Sequence, residues 1–419
     1  MPLPPSLRPP GPAPRRVRTD VPTLGVRVHA RTWPSGQGRD RVPVVLLHGL
    51  GLSSRYLVPL GRRLAALGHD VLAPDLPGFG RSPRDPHTRW PGGPDVARQT
   101  EHLVAWLDAA GITRATFFGN SIGSQVAVEL AVRHPERVER LVLSGPTPDP
   151  RYRRPWKQYP QVLRNMAFEV PTLQALFQVE YLSTGVARMV QQLVRSADDP
   201  VELRLPDVKA STLVVRGRHD RTLSQEWAEQ VTRLLPDGRL AVVEGAAHNA
   251  HYSAPDVSAR LVAAFLAGEL DAAGAAGDPV VPRSQPGDPL AARRPVPARA
   301  HAALDVLTTA ALLTVPRTRP WGPRTRALLT AFGAAGLADT LLTDHPAGLV
   351  RRIPLPVHLN LEASAGLQLL LAAATWLRGE PAAGRRAVAA QGLFELLRAG
   401  ASYAPAGPAR LVPVTAVAP

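Results

Sequence analysis

The amino-acid sequence predicts an α/β domain followed by an all-α module. Over residues 24–270, short apolar runs alternate with helical segments of ten or more residues. This alternation is typical of βαβ units, in which a mostly parallel sheet carries helices on both faces. Residues 271–300 are rich in Ala, Gly, Pro and Arg and indicate a flexible linker, and residues 301–419 show helical patterns only. A chain of 419 residues has room for more than one core.

The N-terminal residues 1–23 are rich in proline and arginine. Proline has no backbone N–H to donate to a helix or sheet, and the segment lacks the apolar run of a secretory signal. We therefore predict a disordered leader.

Composition excludes several classes of function. The formal charge is +15, but the basic residues are almost all arginine and are scattered along the chain. No helix-turn-helix glycine turn or zinc-finger spacing accompanies them, so we predict no nucleic-acid partner. The chain has no cysteine, which excludes disulfides, thiolate metal sites and a cysteine nucleophile. A reducing compartment, and hence a cytoplasmic location, is favoured.

Seven apolar or alternating runs predict the strands of the first domain. They begin at residues 26, 42, 70, 115, 138, 211 and 239. Helical spacing between and after them predicts helices over residues 56–67, 96–110, 225–235 and 257–270, and another directly after residue 121.

The strand pattern is interrupted between residues 147 and 207, where only helix-like stretches occur. We predict a helical cap there. Arginines facing a cleft would suit an acidic substrate, whereas arginines facing solvent would only cover the cap surface. Both interpretations apply to the basic residues of this segment, which are Arg151, Arg153, Arg154, Lys157, Arg164, Arg188 and Arg195.

A candidate nucleophile, Ser121, lies in the sequence Gly119-Asn120-Ser121-Ile122-Gly123, between an apolar run and an amphipathic one. This G-x-S-x-G pattern is typical of a sharp strand-to-helix turn that exposes the serine hydroxyl. Glycines two residues to either side, Gly119 and Gly123, allow neighbouring backbone to approach that turn closely.

Further motifs follow other predicted strands: His48-Gly49 after the second, Asp75 to Ser82 with the pattern D-x-x-G-x-G-x-S after the third, and Asp220 and His248 after the last two. In this order the motifs resemble the α/β-hydrolase superfamily, of the lidded serine hydrolase type.

The resemblance implies a Ser-His-Asp arrangement in which His248 is the base and Asp220 orients it. It implies an oxyanion hole made by the backbone N–H groups of Leu50 and Ile122. The supporting residues would be His48, Gly49, Gly119 and Gly123. We expect Asp75 and Ser82 to shape their loop through local hydrogen bonds.

Two of these assignments have alternatives in the sequence. His251 lies three residues after His248 and could be the base instead. Asp149 follows the preceding strand, at a position that some relatives use for the acid. The resemblance favours His248 and Asp220.

The predicted activity is hydrolysis of a carboxylic ester, or a related acyl substrate, through an acyl-enzyme, with a small-molecule partner and no cofactor. The turn Gly119-Asn120-Ser121 also resembles that of the meta-cleavage-product hydrolases, so carbon–carbon bond hydrolysis is the first alternative. The sequence His-Gly-Leu-Gly-Leu-Ser from His48 and the residue Asn249 depart from that family and favour an ester. The second alternative is a non-catalytic binding or scaffold protein with the same fold.

The C-terminal module contains an internal repeat, because His301…Asp305 recurs as His358…Glu362. Two helix pairs are predicted. Their longest charge-free run has fifteen residues, whereas a membrane span needs about twenty, so a four-helix bundle is favoured. Residues 343–367 resemble small helical membrane proteins of the SPW-repeat type, so membrane or self-association through residues 301–419 is the alternative. The four helices are predicted at 301–315, 326–343, 357–377 and 386–400.

On a helix, His301 and Asp305 lie one turn apart on the same face, as do His358 and Glu362. Two such pairs could hold a metal ion. We expect two hydrogen-bonded pairs instead, and therefore predict no metal.

Overall fold

The chain divides into two units. The first comprises Met1–Glu169, Leu176–Ser284 and Pro408–Pro419, and the second comprises Val170–Ala175 and Gln285–Gly407. The computed structural model describes residues 11–35, 42–86, 94–166, 168–272, 296–350, 352–353, 355–402 and 411–415.

The described residues of the first unit form one sheet of nine strands, in the order β1-β2-β4-β3-β5-β6-β7-β8-β9. Neighbours from β4 to β8 in this order are parallel, while β1, β2 and β9 pair antiparallel at the edges. The predicted mostly parallel sheet is therefore confirmed. The strands are β1 (Arg15–Val21), β2 (Val26–Trp33), β3 (Val44–Leu47), β4 (Val71–Pro74), β5 (Ala115–Asn120), β6 (Val138–Ser144), β7 (Thr212–Gly217), β8 (Gly238–Val243) and β9 (Leu411–Thr415).

Helices α1 to α10 precede the stretch 273–295, which contains most of the predicted linker and lies outside the described residues. Helices α4, α5 and α6 occupy the predicted cap segment, between β6 and β7. The ten helices are α1 (Val58–Ala66), α2 (Val96–Ala109), α3 (Ile122–Arg133), α4 (Pro155–Met166), α5 (Pro171–Thr184), α6 (Val186–Asp198), α7 (Gln225–Leu234), α8 (Ala250–Ser253), α9 (Pro255–Leu266) and α10 (Glu269–Ala272).

The central strands are buried along their whole length, which explains why they read as continuous apolar runs. Every residue of β3, β5 and β7 is buried. The core includes Trp106 from α2, Val126 from α3 and Trp227 from α7. Because the carboxyl ends of parallel strands meet at one edge, the loops after β3, β5, β7 and β8 lie together there.

The disordered leader predicted over residues 1–23 extends too far, because it includes a strand of the sheet. Residues 15–21 form β1 and pair with β2 along its length, from Arg15 opposite Thr32 to Val21 opposite Val26. The prolines that suggested disorder stop at Pro14, so each residue of β1 has an N–H for the ladder. Residues 1–10 lie outside the described residues.

The second unit contains four long helices, close to the positions predicted from the repeat. They pair within each repeat, α11 with α12 and α13 with α14. At the second pairing the backbones nearly touch, since a Cβ on Gly366 would lie 2.6 Å from the carbonyl oxygen of Gly392. None of the described helices is both long and apolar enough to cross a membrane. The helices are α11 (Ala298–Thr318), α12 (Pro323–Leu342), α13 (Leu355–Ala374) and α14 (Ala382–Ser402).

The prediction that residues 301–419 are entirely helical is wrong at the C-terminus. Residues 411–415 form β9, which pairs with β8 at the sheet edge. The pairing is irregular between Leu240 and Val242, and β9 contains Pro413, which cannot donate to the ladder. Edge strands tolerate proline in this way.

Candidate active site

Ser121 occupies a strained turn between β5 and α3. Its backbone has φ 55° and ψ −119°, and it is the only non-glycine residue with positive φ among those described. A Cβ on Gly119 would lie 2.4 Å from the carbonyl oxygen of Gly123, and one on Gly123 would lie 2.5 Å from that of Leu47. Only glycine at both positions therefore permits the predicted elbow.

Asp220 and His248 lie side by side, in the loops after β7 and β8. Nδ1 of His248 donates to Oδ2 of Asp220 at 2.7 Å, and both residues are buried. The hydroxyl of Thr222 lies 2.6 Å from the same nitrogen and donates to Oδ1 of Asp220 at 2.7 Å. Burial opposes both charges, but their mutual attraction lowers the pKa of Asp220 and raises the pKa of His248. The arrangement holds the imidazole in one orientation.

The Ser121 hydroxyl and the His248 imidazole line the same cleft. The hydroxyl lies 3.4 Å from Oγ1 of Thr147. Within the described part of the chain, no hydrogen bond joins it to His248. The structure thus brings the predicted nucleophile and base into one cleft without a direct hydrogen bond.

Neither alternative residue takes part in this arrangement. The His251 ring is fully buried between the rings of Tyr56 and Phe118, with centroids 4.9 and 5.7 Å away, and burial lowers its pKa to about 3. Asp149 accepts a charge-assisted hydrogen bond from Arg151 at 2.8 Å. Among the described residues, neither His251 nor Asp149 makes a hydrogen bond to Asp220 or His248.

The turn after β3 carries several N–H groups, most of which are engaged. Gly49 N–H donates to the Tyr56 hydroxyl at 2.7 Å, and Gly51 N–H donates to Oε1 of Gln192 at 2.8 Å. The predicted donors, Leu50 N–H and Ile122 N–H, have no hydrogen-bond acceptor among the described residues, and both residues line the cleft.

His48 supports this turn from beneath. Its Nε2 accepts from Leu76 N–H at 3.2 Å, and its ring packs edge-on against Phe79. Burial lowers its pKa, so the ring is neutral and serves as an acceptor. Nearby, Ser82 Oγ accepts from His29 N–H.

Asp75 organises the D-x-x-G-x-G-x-S loop. Its carboxylate accepts from His29 Nδ1 and from the N–H groups of Ser54 and Arg81 at 2.7 to 3.0 Å. Burial opposes its charge, but these hydrogen bonds lower its pKa to about 2. Its observed contacts are those of a loop-shaping residue.

Sequence reasoning missed a network that joins three of the site's loops. Oδ1 of Asn120 accepts from the Tyr56 hydroxyl at 2.9 Å, and Nδ2 of Asn120 donates to the carbonyl of His248 at 3.4 Å. Since Tyr56 also accepts from Gly49, the network runs from the turn after β3 to the loop of His248. The only available signal was the position of Asn120 inside the elbow motif.

A buried acid, Glu169, was also missed. Its Oε1 accepts from the side chain of Asn165 and from both the backbone and the side chain of Asn249, at 2.8 to 3.0 Å. Burial raises its pKa, and its charge contributes to the raised pKa of His248. No motif distinguishes this glutamate in the sequence.

The cleft has a largely apolar lining. Among the described residues, no lysine, arginine, aspartate or glutamate lines it. The apolar side chains are those of Leu50, Leu52, Ile122, Val162, Met166, Phe177, Tyr181 and Leu193.

Comparison with known proteins identifies the fold family. Residues 42–189 match the family model of the alpha/beta hydrolase fold. The chain is 30% identical over 265 residues to the 2-hydroxymuconate semialdehyde hydrolase of Pseudomonas putida, and the match covers 92% of that protein and 58% of this chain. The chain belongs to the α/β-hydrolase family.

Two further relatives of this α/β-hydrolase are named for another substrate and as an esterase. The 2-hydroxy-6-oxo-6-phenylhexa-2,4-dienoate hydrolase of Burkholderia cepacia is 30% identical over 272 residues, which cover 91% of that protein and 58% of this chain. The esterase YbfF of Escherichia coli strain K12 is 25% identical over 259 residues, which cover 99% of it and 58% of this chain. All three relatives are hydrolases, and this chain is likewise an enzyme with hydrolase activity.

Proposed function

We propose that the chain is a serine hydrolase that cleaves an uncharged carboxylic ester. Ser121 would be the nucleophile, His248 the general base and Asp220 the residue that orients the base. The observation that carries this proposal is the 2.7 Å hydrogen bond between His248 Nδ1 and Asp220, in the cleft that Ser121 lines from its strained turn.

A serine hydroxyl is a weak nucleophile at neutral pH, so its proton must pass to a base during attack. With Nδ1 directed at Asp220, Nε2 of His248 is the nitrogen that can accept this proton. The proposal requires that the Ser121 hydroxyl, which now lies 3.4 Å from Oγ1 of Thr147, turn towards Nε2. Attack forms a tetrahedral intermediate, and His248 then gives its proton to the leaving alcohol as the C–O bond breaks, which leaves the acyl-enzyme. Water, deprotonated by His248, attacks the acyl-enzyme and releases the acid.

The negative charge on the carbonyl oxygen needs two fixed donors. Leu50 N–H and Ile122 N–H fit this role, because each belongs to the cleft lining and neither has another acceptor within the described segments. The neighbouring Gly49 and Gly51 N–H groups are engaged elsewhere. Removal of one oxyanion donor typically lowers kcat about 100- to 1,000-fold.

The cleft favours an uncharged acyl group. A carboxylate in an apolar cleft needs a cationic partner, and neither lysine nor arginine is among the described lining residues. Two cap arginines that could have served are paired elsewhere, Arg151 with Asp149 and Arg153 with Glu202. A third, Arg188, donates to the carbonyl of Gly78.

Carbon–carbon bond hydrolysis is the second candidate. Two relatives at 30% identity are named as hydrolases of 2-hydroxymuconate semialdehyde and of a 2-hydroxy-6-oxo-6-phenylhexa-2,4-dienoate. Asn120 precedes the candidate nucleophile, as in the turn of the meta-cleavage-product hydrolases that this sequence resembles. One of these names specifies a dienoate, which is a carboxylate, and the lack of lysine and arginine among the described lining residues disfavours it.

A fluorophosphonate probe tests the nucleophile. We expect the wild-type chain and Ser183→Ala, a cap variant outside the cleft lining, to be labelled, and Ser121→Ala not to be. No labelling of the wild type, or equal labelling of Ser121→Ala, would favour a binding protein without catalysis. Turnover of neutral p-nitrophenyl esters, compared with carboxylate-bearing esters and vinylogous diketones, then distinguishes the two hydrolytic reactions.

For the helical module, membrane or self-association stays a prediction. Fractionation of cells that express the full chain, followed by sizing of the protein from the aqueous fraction, tests both forms of association.

A further inference from the structure

Two repeat-related residue pairs converge inside the second unit. His301 and Asp305 lie on α11, and His358 and Glu362 lie on α13; all four are buried. Their ligand atoms lie within 4.8 Å of one another. The sequence suggested two separate hydrogen-bonded pairs, whereas the structure brings both pairs to one point.

We propose that these four residues bind one divalent transition-metal ion, for which Zn²⁺ is the simplest candidate. The ligand atoms would be Nε2 of His301, Nε2 of His358, Oδ2 of Asp305 and Oε2 of Glu362. Two imidazoles with two carboxylates suit Zn²⁺, Co²⁺, Fe²⁺ or Mn²⁺, whereas Mg²⁺ and Ca²⁺ prefer oxygen ligands alone.

The distances between these atoms have the lengths expected for the edges of a coordination polyhedron. His301 Nε2 is 3.2 Å from His358 Nε2 and 3.1 Å from Glu362 Oε2, and His358 Nε2 is 3.2 Å from Asp305 Oδ2. Ligand atoms about 2.1 Å from one ion, at angles of about 90–110°, are about 2.9–3.4 Å apart.

The carboxylate oxygens divide into two sets. Arg398 donates to Oδ1 of Asp305 at 2.6 Å and to Oε1 of Glu362. The other two oxygens, Oδ2 of Asp305 and Oε2 of Glu362, are buried and have no hydrogen-bond partner of acceptable geometry among the described residues. Each of these two oxygens lies beside one ligand imidazole, Oδ2 of Asp305 at 3.2 Å from Nε2 of His358 and Oε2 of Glu362 at 3.1 Å from Nε2 of His301. A buried carboxylate oxygen without a hydrogen bond is costly, and a metal ion would remove that cost.

The other nitrogen of each ligand imidazole is held from outside. Nδ1 of His358 is 2.9 Å from the Asp339 carboxylate of α12, and Nδ1 of His301 is 2.7 Å from the Ser402 hydroxyl of α14. A hydrogen bond at Nδ1 directs the lone pair of Nε2 inward, as around metal sites in general. All four helices therefore contribute to the proposed site.

The nearby His345 is not a ligand. Its Nδ1 accepts from Ala347 N–H at 3.1 Å, so the ring hydrogen is on Nε2, which lies 3.2 Å from Asp305 Oδ2. An imidazole with hydrogen on Nε2 cannot donate that nitrogen's lone pair to a metal.

Charge within the cluster is unbalanced without a cation. Among the described residues, four carboxylates, those of Asp305, Asp339, Glu362 and Glu395, accompany the guanidinium of Arg398. Protonated imidazoles are the alternative source of positive charge. Each ligand Nε2, however, has three polar neighbours at 3.1 to 3.4 Å, and a single N–H cannot satisfy all three.

The ion would join the two repeats. Since the helices pair mainly within each repeat, a metal between α11 and α13 would connect the two hairpins. Among the described residues, one buried apolar cluster of this unit consists of Leu329, Leu369, Leu377 and Val388. An ion bound only in the folded state would add to the stability that this packing provides.

Metal uptake by the untagged full chain tests the proposal. We expect chelator-treated protein to bind one Zn²⁺ per chain in calorimetry and elemental analysis, and Co²⁺ in its place to give the absorption bands of a nitrogen- and oxygen-ligated site. Asp305→Asn and His358→Gln should bind at least about 100-fold more weakly, and Asp339→Asn about 10- to 100-fold more weakly. His345→Gln, the matched control, should bind one Zn²⁺ per chain as the wild type does.

If a ligand variant does not fold, the melting temperature of the wild type with and without metal still tests the proposal. Zn²⁺ should raise the Tm of the chelator-treated wild type, while Mg²⁺ should not. A wild-type chain that takes up none of Zn²⁺, Co²⁺, Mn²⁺ or Fe²⁺ would overturn the proposal and favour a protonated cluster. Equal uptake by wild type and His358→Gln, or loss of uptake in His345→Gln, would overturn the ligand assignment.

Discussion

The hydroxyl of Tyr56 donates a hydrogen bond to Oδ1 of Asn120 at 2.9 Å. This bond connects the segment just before α1 to the residue that precedes the candidate nucleophile. The same hydroxyl accepts from Gly49 N–H at 2.7 Å. Burial strongly raises the pKa of Tyr56, so the hydroxyl keeps its proton and can act as donor and acceptor at once. The buried hydroxyl of Tyr56 thus fixes the position of the turn after β3 relative to the elbow.

Tyr56→Phe should destabilise the chain and lower activity. Loss of the hydroxyl leaves Gly49 N–H and Asn120 Oδ1 buried without this partner, which costs about 1–3 kcal/mol of unfolding free energy. A shift of the turn should reduce kcat about 10- to 100-fold with little change in KM. Urea unfolding and ester turnover measure both effects. Tyr252→Phe, at a less buried tyrosine, should change neither, and equal effects in the two variants would contradict the network.

The two candidate acids are distinguished by paired substitutions. Asp220→Asn removes the carboxylate that holds Nδ1 of His248, so kcat should fall about 10,000-fold while the fold is retained. Asp149→Asn weakens the ion pair with Arg151, whose side chain is half exposed, and the hydrogen bond from the Ser224 hydroxyl. Neither contact involves His248, so kcat should stay within about three-fold of wild type. Steady-state kinetics on one neutral ester suffices. A larger loss in Asp149→Asn than in Asp220→Asn would reverse the assignment.

His251→Phe tests whether the second histidine is only a packing residue. Neither ring nitrogen of His251 has a hydrogen-bond partner within the described chain, and the ring lies among aromatic side chains. A phenyl ring removes the cost of burying those nitrogens, so the free energy of unfolding should stay equal or rise by about 1 kcal/mol. Ester turnover should be retained, whereas His248→Phe should abolish it. Loss of turnover in His251→Phe in a folded protein would contradict this view.

The sequence predicted the parts of the site that follow from chain order. Ser121, Asp220 and His248 each come shortly after an apolar run, and parallel strands place such loops at one sheet edge. The elbow was recognisable because Gly119 and Gly123 are required by local backbone contacts.

Residues that act through tertiary contacts could not be predicted in this way. Tyr56 lies in a helical pattern and Glu169 lies in the cap, and nothing in their local sequence indicates which loops they contact. The convergence of His301 with His358 likewise depends on how two helices approach each other, which periodicity does not specify. β1 was missed because proline-rich composition in its neighbours obscured a short strand.

The pH dependence of ester hydrolysis should report the environment of His248. Burial alone would lower the pKa of His248. The charge and hydrogen bond of Asp220, together with the charge of Glu169, outweigh burial and raise this pKa above the ordinary value of about 6.5. The imidazolium cannot accept a proton from Ser121. Activity should therefore be low below this raised pKa and increase as pH rises through it, which a kcat–pH profile measures.

Glu169→Gln separates the contribution of the cap acid from that of Asp220. The Gln amide oxygen can still accept from Asn249, but the negative charge is lost, so the pKa of His248 falls. The acid limb of the kcat–pH profile should then move to lower pH, while kcat at high pH stays within about three-fold of wild type. Glu202→Gln, which removes a cap carboxylate paired with Arg153, should leave the limb in place. An acid limb that moves to higher pH in Glu169→Gln, or that moves equally in both variants, would show that the Glu169 charge does not act on His248.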